Sequence, residues 1–429
     1  MTTLTIQRTI DAVWRIESAR LIAALARLVG DVGLAEDLAQ DALVAALEQW
    51  PVDGVPEKPG AWLMTVAKRR AIDWIRRDQV AARKYAELGR QLEAEQEMAA
   101  TDAGRAADDE VGDDLLRLIF IACHPALATE ARVALTLRLL GGLTTAEIGR
   151  AFLTPEPTIA QRIVRAKRTL AAANIPFELP DAAARNARLS AVLAVIYMIF
   201  NEGYAATAGE AWIRPTLCEE ALRLGRILAA LTPQEPEVHG LVALMELQAS
   251  RLRARVGPAG EPILLLDQNR ARWDYLLIQR GLAALQRAEK LGGAHGPYAL
   301  QAAIAACHAR ARTAEATDWQ QSAALYDALA QLTPSPIVEL NRAVALGMAY
   351  GPAVGLALVD LLNAEPALAT YHLLPSVRGD LLARLGRHIE ARAEFARAAT
   401  LAQNARERDL LLARVQALEA EPATDSYTI

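Results

Sequence analysis

TTAEIGRAFLTPEPTIAQRIVRAKRTL, residues 144–170, reads as two short helices with a tight turn between them. Thr144 is placed to cap the first helix, and Glu147 three residues on completes a capping box, in which side chains and backbone donors satisfy each other reciprocally. Ile148, Ala151 and Phe152 supply that helix with a core face. Leu153-Thr154-Pro155-Glu156-Pro157 cannot continue it, because each proline removes a backbone donor and pushes its predecessor out of the α region. The second helix is expected to start at Thr158, with Ile159, Ile163, Ala166 and Leu170 at three- and four-residue steps on its buried side. Gln161, Arg162, Arg165 and Arg168 fall mostly off that stripe, Lys167 lies nearby, and no acidic residue interrupts Thr158 to Leu170. The pattern is that of a helix-turn-helix. In a helix lying in the major groove, Gln161 and Arg162 near its start can reach base edges, while Arg165, Lys167 and Arg168 can reach phosphates. The competing reading is an ordinary helical hairpin with a solvated basic face.

Around this stretch the composition is 53% hydrophobic and 5% aromatic, rich in alanine and leucine, with few alternating β-branched runs. An all-α chain of helices packed on helices follows. At 429 residues several domains are expected, at roughly 100 to 200 residues each. The formal charge of -5 excludes a chain coated in nucleic acid, so any such contact must be local. Cys123, Cys218 and Cys307 stand far apart with no CxxC spacing, which points to neither a disulfide framework nor a zinc site. No cofactor is expected. The opening MTTLTIQRTIDAVWRIESARL lacks the basic region and apolar core of a secretory signal, and no run of ~18 uncharged apolar residues occurs. The expectation is a cytoplasmic protein with no membrane partner.

Taken in order, Ile10, Val13, Trp14, Ile16, Leu21, Leu25 and Leu28 follow helical spacing until Gly30-Asp31-Val32-Gly33. LAEDLAQDALVAALEQW, residues 34–50, is a second amphipathic helix with Leu34, Leu38, Ala42, Ala46 and Trp50 four residues apart. Its other face shows Glu36, Asp37, Gln40 and Asp41, readable as simple N-terminal capping or as an acidic face for a partner. After a loop over 51–60, AWLMTVAKRRAIDWIRR, residues 61–77, can pack through Trp62, Val66, Ile72 and Ile75. Lys68, Arg69, Arg70, Arg76 and Arg77 crowd the rest of that helix, with Asp73 the one acid and Trp74 among them. Basic residues interleaved with an aromatic suit backbone neutralisation plus base stacking on an opened strand. From Leu88 to Asp114 nine acidic residues face only Arg90 and Arg105, so this segment reads as a flexible linker. A compact helical unit starts at Leu115, is broken at His124-Pro125, and resumes with a supporting helix from Glu130 to Leu140.

The stretches LAEDLAQDAL, PGAWLMTVAKRRAIDWIRR and LTTAEIGRAFLTPEPTIAQRIVRAKRTL, in this order over residues 10–175, resemble the extracytoplasmic-function sigma factors of bacterial RNA polymerase. The resemblance implies a region 2 domain over 1–87, the acidic linker over 88–114, and a region 4 domain over 115–173. It implies that Asp37, Gln40 and Asp41 dock on the β′ clamp helices of core polymerase, with the β flap and promoter DNA as further partners. Lys68, Arg69, Arg70, Asp73, Trp74, Arg76 and Arg77 would then sit at the melted minus-10 element. Thr158, Gln161, Arg162, Arg165, Lys167 and Arg168 would sit at the minus-35 duplex. Pro157 departs from the family's usual small turn residue, and proline at a first helical position is well tolerated.

Minimal members of that family end near Leu170, which leaves a proline-flanked linker over 174–184 and a helical region over 185–429. EEALRLGRILAALTPQEPEVHGLVAL (219–244) and QSAALYDALAQLTPSPIVELNRAVAL (321–346) share a Leu-Thr-Pro stop, a second proline and a following helix. Pro233 and Pro334 lie 101 residues apart, close to three units of ~34, the tetratricopeptide period. Asp380 to Ala402 supplies a further pair, with Gly386, Ala391, Phe395 and Ala398 at the small and aromatic positions. A tetratricopeptide-like solenoid offering a surface to a regulatory protein is expected, and the whole chain is similar to the sigma-factor subgroup that carries such an extension. Asn201, Glu202, Asp267, Arg270, Arg272 and Asp274 form its densest polar cluster, with no nucleophile and base pair, and the six histidines are scattered singly. No enzyme is expected. A stand-alone helix-turn-helix regulator with a protein-binding repeat domain is the alternative.

Asp73 and Trp74 are assigned to strand opening alone. Their substitution is therefore expected to impair transcription from duplex promoters and to be rescued on pre-melted templates, as run-off transcription on both template types would read.

Overall fold

Among the described residues, helical periodicity becomes eighteen α-helices, four short 3-10 turns and no strand beyond two isolated bridges. The structure is a computed structural model that describes residues 3–89, 107–152, 154–180 and 182–420. It divides into two compact units, Met1–Ile196 and Tyr197–Ile429.

The first unit begins with α1 (Thr3–Val29), α2 (Val32–Asp53) and α3 (Pro59–Gly89). Asp31 caps α2 by accepting from the Leu34 amide at 2.7 Å. Leu38, Ala42, Ala46 and Trp50 are buried at the expected four-residue spacing. In α3 the buried line is Leu63, Ala67 and Ala71, whereas Ile72, expected to pack, is 43% exposed because it falls one residue beyond that line. Ile16 of α1 is likewise exposed, while Ile10, Leu21, Ile22 and Leu25 form the core.

The unit continues with α4 (Ala107–Ala122), α5 (Thr129–Leu139), α6 (Thr145–Ala151) and α7 (Glu156–Ala172). Residues 90–106 of the expected acidic linker lie outside the described residues. Its last part is not a linker: Asp114 is buried in α4, where it pairs with Arg27 of α1 at 2.9 Å and with Arg117 at 2.6 Å. A buried carboxylate with two guanidinium partners ties the fourth helix to the first. The α7 helix starts two residues before the expected Thr158, with Pro157 in its first turn, where a missing amide costs nothing. Leu153 of the turn lies outside the described residues. Helix α8 (Ala182–Tyr204) begins within the segment expected to be a linker over 174–184 and runs across the boundary between the units.

Beyond it, the second unit is built from α9 (Pro215–Leu231), α10 (Pro236–Ala249), α11 (Tyr275–Lys290), α12 (Pro297–Arg310), α13 (Trp319–Leu332) and α14 (Pro336–Tyr350). It ends with α15 (Pro352–Leu362), α16 (Leu373–Arg384), α17 (His388–Leu401) and α18 (Ala405–Ala420). Consecutive helices pack on one another along the array. The repeated Leu-Thr-Pro stops end α9 and α13, and the second prolines, Pro236 and Pro336, begin α10 and α14. One core surrounds Leu244, Leu247, Trp273, Ile278 and Leu285, and another surrounds Leu340, Leu356, Val359, Leu382 and Phe395.

A stack of repeats touches only its neighbours, and this array departs from that rule. Asn404, fully buried between α17 and α18, donates to the carbonyls of Ala206 at 3.1 Å and Ala211 at 2.8 Å, about two hundred residues away in sequence. Its carbonyl oxygen accepts from the Arg406 amide at 2.9 Å, and the Ala405 amide donates to Gly209 at 2.9 Å. The last helical pair of this unit is thereby bonded to its first loop. Asn404→Ala takes the donor from the carbonyl of buried Ala206 and from that of Ala211, and should destabilise by about 1–3 kcal/mol, whereas Gln403→Ala, at an exposed neighbour, should stay within about 0.5 kcal/mol. Thermal denaturation followed by circular dichroism compares the two.

Candidate nucleic-acid interface

The helix-turn-helix is assembled locally. Thr144 Oγ1 accepts from the Glu147 amide at 3.1 Å while Glu147 Oε2 accepts from the Thr144 amide at 2.9 Å, completing the capping box. Partial burial pushes the Glu147 carboxyl up, but the Thr144 amide and hydroxyl and the Arg15 guanidinium together hold it below the usual carboxylate range. Gly149 stands where a Cβ would lie 2.8 Å from the Thr154 carbonyl, so only glycine lets α6 approach the turn this closely. Thr145 Oγ1 donates to Glu156 Oε1 at 2.8 Å and links α6 to the first turn of α7.

Ile159, Ile163, Ala166 and Leu170 are buried, which turns the opposite side of α7 outward. Gln161, Arg165 and Arg168 are exposed there, and Thr158 and Arg162 are half-buried. On α3, Lys68, Arg69, Asp73, Arg76 and Arg77 are exposed. Trp74 is 39% exposed and offers its ring to solvent, whereas Trp62 packs edge-on against buried Trp50, with centroids 5.4 Å apart. The two tryptophans of α3 therefore divide, one to the core and one to the surface. Arg70 is half-buried and reaches Asp41 of α2 at 3.0 Å.

Helix α2 carries the feature that sequence reasoning missed. Asp37 and Asp41 are exposed, Gln40 is half-buried, and Glu36 is buried with 3% of its side chain accessible. Glu36 Oε1 accepts from Arg138 Nε of α5 at 2.6 Å and from Gln40 Nε2 at 2.6 Å, and Oε2 pairs with Lys167 of α7 at 2.6 Å. Lys167 also lies 3.5 Å from Asp37 Oδ1, and its stem passes 3.5 Å from the position a Cβ would take at Gly33. Arg15 of α1 adds a bridge to Glu147 at 2.9 Å. Lys167, expected to face phosphate, is thus turned onto the acidic face of α2, and Asp37 and Asp41 each hold a basic residue from another helix. No local signal separates Glu36 from its acidic neighbours, since its burial depends on where α5 and α7 land. Among the described residues no cluster of histidine, cysteine and carboxylate side chains could hold a metal ion, and no helix is long and apolar enough to cross a membrane.

Residues 15–80 match the family Sigma-70 region 2, residues 117–170 match Sigma-70, region 4, and residues 188–289 match a family of unknown function, DUF6596. The chain is 44% identical over 404 residues to the uncharacterized protein R00370 of Rhizobium meliloti (strain 1021), covering 94% of each. It is 31% identical over 155 residues to the ECF RNA polymerase sigma factor SigK of Mycobacterium ulcerans (strain Agy99), covering 35% of this chain and 78% of that one. To the probable ECF RNA polymerase sigma factor SigI of Mycobacterium tuberculosis (strain CDC 1551 / Oshkosh) it is 27% identical over 161 residues, covering 38% of this chain and 54% of that one. No solved structure matches the chain.

A double-mutant cycle of Glu36→Gln and Lys167→Met, read by urea denaturation, should return a coupling energy of about 0.5–3 kcal/mol. Asp37→Asn, at the more distant and exposed carboxylate, should change stability by less than about 1 kcal/mol.

Proposed function

The chain belongs to the extracytoplasmic-function RNA polymerase sigma factors, and we propose that it directs core polymerase to a dedicated promoter set, with its C-terminal unit controlling that activity. It acts in the cytoplasm as an initiation factor, not as an enzyme. The observation that carries this reading is the meeting, in one compact unit, of an acidic α2 face with the exposed basic faces of α3 and α7. On this reading Asp37, Gln40 and Asp41 engage the β′ clamp helices, and region 4, residues 115–173, also meets the β flap. Lys68, Arg69, Arg76 and Arg77 neutralise the backbone of the opened minus-10 strand, while Arg70 and Asp73 line it and Trp74 stacks on a base. Gln161 and Arg162 read base edges of the minus-35 duplex, and Thr158, Arg165 and Arg168 hold its phosphates, while Lys167, expected among them, is held by Glu36. Since Asp37 and Asp41 each hold a basic residue of another helix, docking on polymerase exchanges internal ion pairs for intermolecular ones. The helices of residues 185–429 serve as a positive element, tetratricopeptide-like in its pairing, whose surface receives a regulatory protein.

Mixing the protein with core polymerase tests the first part: co-elution and a promoter-dependent transcript are expected. Specific duplex binding in the absence of polymerase, without co-elution, would instead mark a stand-alone regulator. Truncation after Leu179 tests the second part, in a fragment shown by circular dichroism to be folded. Lost transcription is expected; increased transcription would mean that the extension masks the DNA face, and unchanged transcription would overturn control by the extension.

A further inference from the structure

Charged side chains buried in the second unit generally come with a partner. Arg214 pairs with Glu202, Arg226 with Glu246, Arg342 with Asp327 and Glu339, Arg378 with Asp360 and Glu394, and Arg414 with Asp380. Arg251, Arg255 and Arg270 break the pattern. All three are half-buried, and among the described residues no carboxylate lies within ion-pair distance of any of them. They stand together on aromatic faces. The Arg255 guanidinium lies 3.8 Å from the Tyr204 ring centroid and 5.2 Å from that of Trp212. Arg251 bridges Tyr204 at 5.7 Å and Trp273 at 5.9 Å, and Arg270 lies 4.6 Å from Trp273. Stacking on π faces holds each guanidinium plane in place and cancels none of its charge.

Their hydrogen bonds go to neutral groups. Arg255 donates to the Tyr204 carbonyl at 3.0 Å, and Arg270 to the carbonyls of His308 and Ala311 and to Thr317 Oγ1. Donors remain over. The Nε atoms of all three arginines and the indole Nε1 atoms of Trp212 and Trp273 are buried without a partner, as is His308 Nδ1. Gln268, Trp273 and His308 are each more than nine-tenths buried. The carboxylate of Glu315, which is exposed, acts on Arg270 through space without forming an ion pair. Burial and the charges of Arg251 and Arg270 push the His308 imidazole down to about 3, so at neutral pH it adds no positive charge. Uncompensated guanidinium groups at low exposure are costly unless paired, and this cluster has charge, planar forks and spare N–H donors with no carboxylate partner among the described residues.

We infer that the Arg251, Arg255 and Arg270 cluster, between Tyr204, Trp212 and Trp273, is a binding site for a small oxyanionic ligand, carrying phosphoryl or paired carboxylate groups. Guanidinium forks match both oxyanions bidentately, and the orphan indole donors match their remaining oxygen atoms. The site rests on side chains of the second unit alone, so it stands whether or not that unit controls transcription.

The test uses the full chain purified in chloride, with calorimetry as the readout and the change in total tryptophan fluorescence, lost in Trp212→Phe and Trp273→Phe, as a second one. Phosphate and pyrophosphate form one arm, malonate and citrate the other, and sodium chloride of matched ionic strength is the control. Saturable binding of one equivalent in either arm is expected, and the arm that binds tighter names the ligand class. Arg251→Gln and Arg270→Gln should each weaken it about tenfold or more, from loss of a charge-assisted hydrogen bond, while Arg253→Gln at an exposed neighbour should not. Absence of saturable binding to the unaltered protein in both arms would overturn the site, and that measurement needs no variant to fold. Binding that survives Arg251→Gln and Arg270→Gln unchanged would overturn it equally.

Discussion

One buried carboxylate holds the first unit together. Glu36 takes Arg138 from α5 and Lys167 from α7 at 2.6 Å each, so a single side chain of α2 joins the helices that open the chain to those of the helix-turn-helix. A carboxylate taken from water is costly unless it is paired and hydrogen-bonded, and here Gln40 and Arg138 both donate to Oε1 while the Lys167 ammonium lies against Oε2. The geometry rewards one arrangement of α2, α5 and α7 and penalises others that leave Glu36 unpaired. Buried Asp114 with Arg27 repeats the device at another helix pair, and Arg15 with Glu147 adds an exposed bridge between α1 and α6.

The same pairing bears on function. An exposed ion pair is worth little, about 0 to 1 kcal/mol, so Asp37 and Asp41 can exchange internal partners for external ones at small cost. Lys167 differs, because its main partner is buried Glu36 and not the exposed Asp37. Among the basic residues of α7, Lys167 is the one turned onto α2, while Arg165 and Arg168 are exposed. The helix thus spends one cation on holding the unit and leaves Arg165 and Arg168 facing solvent.

In the second unit the polar residues have separate duties. Of the cluster visible in sequence, Glu202 pairs with Arg214, Asp274 caps α11 through the Leu277 amide, and Asp267 and Arg272 are exposed. Arg270 alone turns inward to join Arg251 and Arg255, two residues that nothing in the local pattern singles out. Asn404 supplies the other specific contact, closing the array through two backbone carbonyls where an open stack would leave its first loop and last pair apart.

By itself the sequence determined what depends on near neighbours: the all-α class, the Thr144 capping box, the proline-marked turn, the apolar stripe of α7 and the repeated Leu-Thr-Pro stops. Each is set within about four residues by hydrogen-bond geometry and side-chain spacing. Only the tertiary structure decided that Glu36 is buried while Asp37 is not, that Lys167 faces α2, that Asp114 belongs to a core, and that three arginines meet on aromatic rings without an acid. The physical reason is that a charge is defined by its surroundings. Its partners lie up to about 130 residues away in sequence, and two carboxylates one position apart on a helix face different neighbours once the helices pack.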